Sequence, residues 1–84
     1  MTKREIENRA LAGLPLYGSD IARVRRDARV ITLRHVWGER VDGRALDGVR
    51  RAYRTLARAL ARRTGRSVEV YASQGFMLDQ IDPE

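Results

Sequence analysis

RALARRTGRSVEVYA, residues 58–72, changes its period part-way along. Up to Thr64 it continues a 3-4 spacing of apolar residues that starts at Leu46 and runs through Val49, Tyr53, Leu56 and Leu60, with Ala57 beside them, as on one face of a helix. From Ser67 the spacing becomes two: Val68, Val70 and Ala72 fall on one side, Glu69 and Tyr71 on the other. Gly65 stands at the change, where a helix ends on a residue that accepts the left-handed conformation. A long helix running straight into a strand argues against a helix-turn-helix, which needs a second short helix next to the first. The stretch therefore predicts a helix packed on a sheet.

Working outward, the long helix is expected to begin near Asp42, whose carboxylate suits an N-cap and the positive end of the helix dipole. Before it, 38–43 reads as a loop. Between Ile21 and Trp37 the pattern alternates on both sides of Arg25-Arg26-Asp27-Ala28, which predicts a hairpin with strands over 21–24 and 30–37. Its turn is imperfect, because Asp-Ala stands where Asp-Gly would be favoured. The rival reading of 19–26 is a short helix capped by Ser19. At the start of the chain, Thr2-Lys3-Arg4-Glu5 fits a capping box, and Gly13 before Leu14-Pro15 stops a helix of about 3–12. Beyond the quoted stretch, Ser73-Gln74-Gly75 turns and 76–81 returns as a strand. The expected architecture is a single α+β domain over 1–84, ordered α-β-β-α-β-β. Its four-stranded sheet is mostly antiparallel, with one long amphipathic helix packed on it.

A chain of 84 residues buries only about 60–65% of the surface its unfolded form exposes, so the core is expected to be thin. It holds five aromatic residues, Tyr17, Trp37, Tyr53, Tyr71 and Phe76, and much of its apolar content is alanine. It has no cysteine and one histidine. Thiolate chemistry and a zinc knuckle are excluded, and one histidine makes no metal site alone, so no metal or cofactor is expected. The longest uncharged run, 10–19, contains Gly13, Pro15 and Gly18 and is too short to span a membrane. These features together predict a soluble, unprocessed cytoplasmic protein.

Charge is concentrated rather than spread. Residues 1–43 hold nine basic and six acidic groups, residues 44–66 hold eight and one, and residues 67–84 hold none and four. The central segment thus carries more than the whole net charge of +6. Sixteen of the seventeen basic residues are arginine, which a GC-rich genome would also produce, so the clustering is the informative part. Arg50, Arg54, Arg58 and Arg62 recur at i,i+4, with Arg51 and Arg44 alongside and Asp47 the one acid nearby. Like charges at that spacing cost a helix a few tenths of a kcal/mol per pair, so a compensating partner is expected. Three can be named: phosphate, an acidic protein surface, or the chain's own Glu69, Asp79, Asp82 and Glu84.

The row extends about 18 Å over twelve residues, enough to follow several phosphates, and the arginine fork matches phosphate geometry. Few base-reading side chains lie near it, so backbone contacts with little sequence specificity are expected. The primary reading is a non-catalytic module that binds nucleic acid through Arg50, Arg51, Arg54, Arg58 and Arg62. The alternative is a protein-interaction module or inhibitor, of the small mobile-element or phage-encoded kind, docking the same helix on an acidic partner. A second seam of small residues, Ala45, Gly48, Ala52, Thr55 and Ala59, would let helix 1 or a second copy approach closely, which makes a homodimer a further expectation.

Other motifs carry less. Gly13-x4-Gly18-Ser19 lacks the lysine of a phosphate-binding loop. His35, with Arg34 and Arg40, could sketch a ribonuclease site, but alternation groups it with Ile31, Leu33 and Trp37 on the core side. Trp37 and Tyr71 are the candidates for stacking on bases, and Tyr71 is the better exposed of the two by alternation.

Overall fold

The computed structural model describes residues 2–16, 21–25, 27–34 and 43–83, with the backbone alone at 43–46 and 52. It contains α1 (Lys3–Leu11), β1 (Ile21–Val24), β2 (Val30–Leu33), α2 (Gly43–Thr64), β3 (Val68–Tyr71) and β4 (Met77–Ile81). The order is the expected α-β-β-α-β-β, and 21–24 is strand rather than helix. Tyr17, Ser19, His35, Trp37, Arg40, Asp42 and Glu84, and the side chains of Arg44, Ala45, Leu46 and Ala52, lie outside the described residues.

Both helices are closed by local chemistry. The Thr2 hydroxyl accepts from the Glu5 amide at 3.2 Å, satisfying one of the donors that the first helical turn leaves free. At the other end of α1, Gly13 adopts φ +72°, its N–H reaches the Ala10 carbonyl at 3.1 Å, and the Leu14 N–H reaches that of Arg9 at 2.9 Å. These are the two bonds of a Schellman stop. At the end of α2, Gly65 takes φ +68° and closes on the Ala61 carbonyl at 2.8 Å.

The sheet runs β1-β2-β3-β4. Its outer pairings, β1/β2 and β3/β4, are antiparallel; its central pairing, β2/β3, is parallel. A parallel neighbour needs a crossover of a dozen or more residues, and α2 supplies it. β2 spans Val30–Leu33 and Arg34 is already outside it; the rest of the expected strand, 35–37, lies outside the described residues. The ladder partners of β2 run out at Leu33, which faces Ile21 at the start of β1, and Thr32 faces Tyr71 at the end of β3. β4 starts one residue later than expected, because the Phe76 carbonyl accepts from the Ala72 amide at 2.8 Å and still belongs to the turn.

The β1–β2 turn accommodates its non-ideal residue. Ala28 takes φ +58°, the left-handed conformation that Asp-Gly would supply without strain. Its amide donates to the Arg25 carbonyl at 2.7 Å, and the Asp27 carboxylate accepts from the Arg29 amide at 3.2 Å. The Ala28 methyl is fully buried, so its burial offsets part of the backbone cost.

One face of the sheet forms the core. Ile31, Leu33, Val68 and Val70 are fully buried against Tyr53, Ala57, Leu60 and Ala61 of α2, with Ala10 of α1 in the same cluster. Leu56 is buried and Val49 partly so, as the helical periodicity predicts. Leu78 and Ile81 of β4 pack at the margin.

Candidate arginine face of α2

An exact i,i+4 row does not stay on one face of a helix. At 3.6 residues per turn each step of four residues overshoots by about 40°, so Arg50, Arg54, Arg58 and Arg62 wind around α2 as they descend it. The buried stripe of Tyr53, Leu56, Ala57 and Leu60 fixes the inward direction. Arg50 and Arg54 then lie at the margin of the sheet and are half-buried. Arg58 and Arg62 lie on the opposite pole with Arg51, and all three are exposed. The five arginines of the expected site therefore divide into two sets.

The inner set is held by acids. The Arg54 Nε donates to Asp79 Oδ2 at 3.2 Å, and the same oxygen accepts the Tyr53 hydroxyl at 2.8 Å. Arg50 lies 3.8 Å from Asp47 one turn earlier. Asp79 reaches α2 through the regular part of the β3/β4 ladder, where Val68 faces Ile81 and Val70 faces Asp79, which puts Asp79 on the helix side with Val70. Beyond that pair the register shifts, with Tyr71 facing Met77, so Leu78 is accommodated as an extra residue. Burial opposes ionisation of Asp79. Hydrogen bonds from Tyr53, the Gln80 amide and Arg54 outweigh it and hold the carboxyl below its ordinary value. Burial, and then the bond to Asp79, push the Tyr53 phenol up, while the nearby Arg50 guanidinium works the other way.

Two members of the outer set have no such tie. Among the described residues, the side chains of Arg51 and Arg58 meet no acid, and Arg62 is exposed beside them. Seven residues separate Arg51 from Arg58 and eleven separate it from Arg62, so the three guanidiniums are spread over about 16 Å of helix. On the far side of α2, Arg63 bonds Asn8 at 3.0 Å and lies 3.6 Å from Glu7, tying α2 to α1.

Against protein families, curated proteins and solved structures, the chain has no match.

Of the four C-terminal acids considered as internal partners for the arginines, Asp79 takes that role. Asp82 instead accepts from Ser67 at 2.6 Å and from Gln80 at 3.2 Å, and Glu69 accepts from the Tyr71 hydroxyl at 2.8 Å on the other side of the sheet. The Tyr53–Asp79–Arg54 cluster was legible only in part. Asp79 alternates with Ile81 in 76–81, an acid on what is otherwise an apolar face, but its partners lie on a helix 25 and 26 residues earlier.

The small-residue seam shows no sign of helix 1 at its upper end. Gly48 and Thr55 are exposed, Ala59 is half-buried, and a Cβ added at Gly48 would meet nothing within 4 Å. Gly48→Ala is therefore expected to stabilise the protein by about 1 kcal/mol through helix propensity alone. Chemical denaturation at several protein concentrations checks this. A destabilised variant, or a midpoint that moves with concentration in the parent and not in the variant, would mean that a second copy packs on that face.

Among the described residues there is no group of three or more His, Cys, Asp or Glu side chains placed to hold a metal ion, and no helix is long and apolar enough to cross a membrane.

Proposed function

We propose that the protein is a non-catalytic, cytosolic module that binds nucleic acid through its phosphate backbone. Arg51, Arg58 and Arg62 on the outward pole of α2 make the primary contacts, and Arg50 and Arg54 flank them. The observation that carries this reading is the division of the row. Two arginines are already paired with Asp47 and Asp79, while the outward pole keeps Arg51 and Arg58 without an acid among the described residues. A helix that tolerates this like-charge repulsion at its solvent face is suited to a polyanion. Contacts of this kind position a duplex or a strand without reading its sequence.

The division also selects the variant to make. Reversing Arg54 would break its bond to Asp79 and confuse stability with binding, whereas Arg51→Glu/Arg58→Glu leaves the core untouched. Fluorescence anisotropy of nuclease-treated protein with labelled duplex DNA is expected to show affinity falling about 40-fold between about 50 and 200 mM salt, as three neutralised phosphates require. The double variant is expected to lose most of that affinity. Equal binding by parent and variant would refute the assignment. An absence of binding at low salt, together with a co-purifying protein that survives nuclease, would instead favour an acidic protein as the partner of the same pole.

A further inference from the structure

The sheet has a second face, opposite the two helices. Strand register aligns Arg23, Thr32, Tyr71 and Met77 across all four strands. A second row lies beside it: the Arg25 amide bonds the Val30 carbonyl at 3.0 Å, Val30 faces Glu69, and Glu69 faces Gln80. Every one of these side chains is exposed or half-buried. The face thus has guanidiniums along its β1 side and an aromatic ring at its middle.

We propose that this open sheet face binds single-stranded nucleic acid, with a nucleobase stacked on Tyr71 and phosphates on Arg23, Arg25 and Arg29. The proposal goes beyond the helix reading and does not depend on it, because the arginine pole of α2 points away from the sheet.

Three observations support it. The first is the posture of Tyr71. Its hydroxyl donates to Glu69 Oε2 at 2.8 Å, and residues two apart on one strand stand about 7 Å from each other along the same face. That bond ties the Tyr71 side chain to its neighbour along β3 on the open face, where it is half-buried and keeps part of its surface in solvent. The core aromatic role is already taken by Tyr53, which is 1% exposed on the other side of the sheet.

The second is charge. Arg23 is exposed and meets no acid among the described residues, and Arg29 is exposed with Asp27 nearby, whose carboxylate accepts from the Arg29 amide. Arg25 lies 3.3 Å from Asp27 with both side chains well exposed, a pairing weak enough for phosphate to replace. The third is shape. Arg23, Arg25, Thr32 and Tyr71, together with the 73–75 turn, border an open depression of about 430 Å3, within the size range of small-ligand clefts. A base that stacks there must leave its duplex, whereas a single strand offers its bases freely, so the face selects unpaired nucleic acid.

The test is anisotropy of the full chain with a labelled oligothymidine single strand and with the matching duplex, on parent, Tyr71→Leu, Tyr71→Phe and Arg23→Glu proteins that circular dichroism shows to be folded. Tyr71→Leu, which keeps bulk but removes the ring, is expected to weaken single-strand binding roughly 5- to 150-fold and to leave duplex binding unchanged. Tyr71→Phe is expected to keep single-strand binding. Arg23→Glu is expected to lower single-strand affinity and to reduce its salt slope by about 0.7. The proposal falls if Tyr71→Leu and Arg23→Glu both bind the single strand as tightly as the parent, or if they lose single-strand and duplex affinity equally. Arg51→Glu/Arg58→Glu serves as the comparison. Duplex affinity lost there and single-strand affinity lost at Tyr71 would support two separate surfaces, and single-strand loss at Tyr71 with duplex binding intact in the α2 variant would leave the sheet face standing alone.

Discussion

Tyr53→Ala is expected to destabilise the protein by about 3–5 kcal/mol, the cost of removing a large buried aromatic side chain from a core that relaxes only partly. The ring is 1% exposed and sits between α2 and the sheet, and its hydroxyl is the donor that reaches Asp79 at 2.8 Å. For a chain of 84 residues, total stability is about 4–13 kcal/mol, so the substitution removes much of it and can unfold the molecule at ambient temperature. Tyr53→Phe separates the two contributions. It keeps the packing and drops one hydrogen bond, for an expected loss of about 1 kcal/mol. Urea denaturation of both variants checks the ratio; equal losses would mean that the hydroxyl, not the ring, carries the contribution. The phenol's raised pKa adds an alkaline signature. Its stabilisation is complete below the unfolded value of about 10 and is lost as pH rises through the higher folded value, and Tyr53→Phe is expected to abolish that part of the alkaline loss.

Asp79→Ala carries the second large effect, an expected loss of about 2–3 kcal/mol. Most of it comes from leaving the Tyr53 hydroxyl without an acceptor beneath α2. The ion pair to Arg54 adds little, because that guanidinium is 42% exposed and screened by solvent. The pH dependence identifies the group. Asp79 has its folded pKa below its unfolded one, so its stabilisation is present above about pH 4 and is lost as pH falls through the folded value. Parent and Asp79→Ala stabilities are therefore expected to converge as pH drops below about 4. Curves that stay parallel down to pH 2 would show that Asp79 contributes no such linkage. Because Arg54 is half of this contact, loss of Asp79 also frees a guanidinium at the edge of the arginine face, and nucleic-acid affinity is not expected to fall in this variant at neutral pH.

The local pieces of this fold were readable because their causes are local. Thr2 caps the helix three residues from the Glu5 amide that donates to it, Gly13 and Gly65 stop the helices they follow, and the buried stripe of α2 recurs at the spacing of its own turns. The alternation of 67–72 likewise showed which side of β3 would be buried. The arginine cluster was readable too, but its internal partner was not. An i,i+4 row looks like one face in one dimension; set against the apolar stripe it puts Arg50 and Arg54 at the margin and Arg51, Arg58 and Arg62 outward, but the acid that holds Arg54, Asp79, lies 25 residues further on and no local pattern names it.

By itself, then, the sequence determined the helices, the strands, the buried face of α2 and the excess of positive charge on it, because hydrogen-bond periodicity and capping act over a few residues. The tertiary structure decided the pairings. It placed β2 beside β3 in parallel, paired Asp79 with Val70 so that it reaches Tyr53 and Arg54, and aligned Arg23, Thr32 and Tyr71 across one open face. Register is a property of two strands at once, and the contacts that select it join residues far apart in the chain whose attraction no local pattern records.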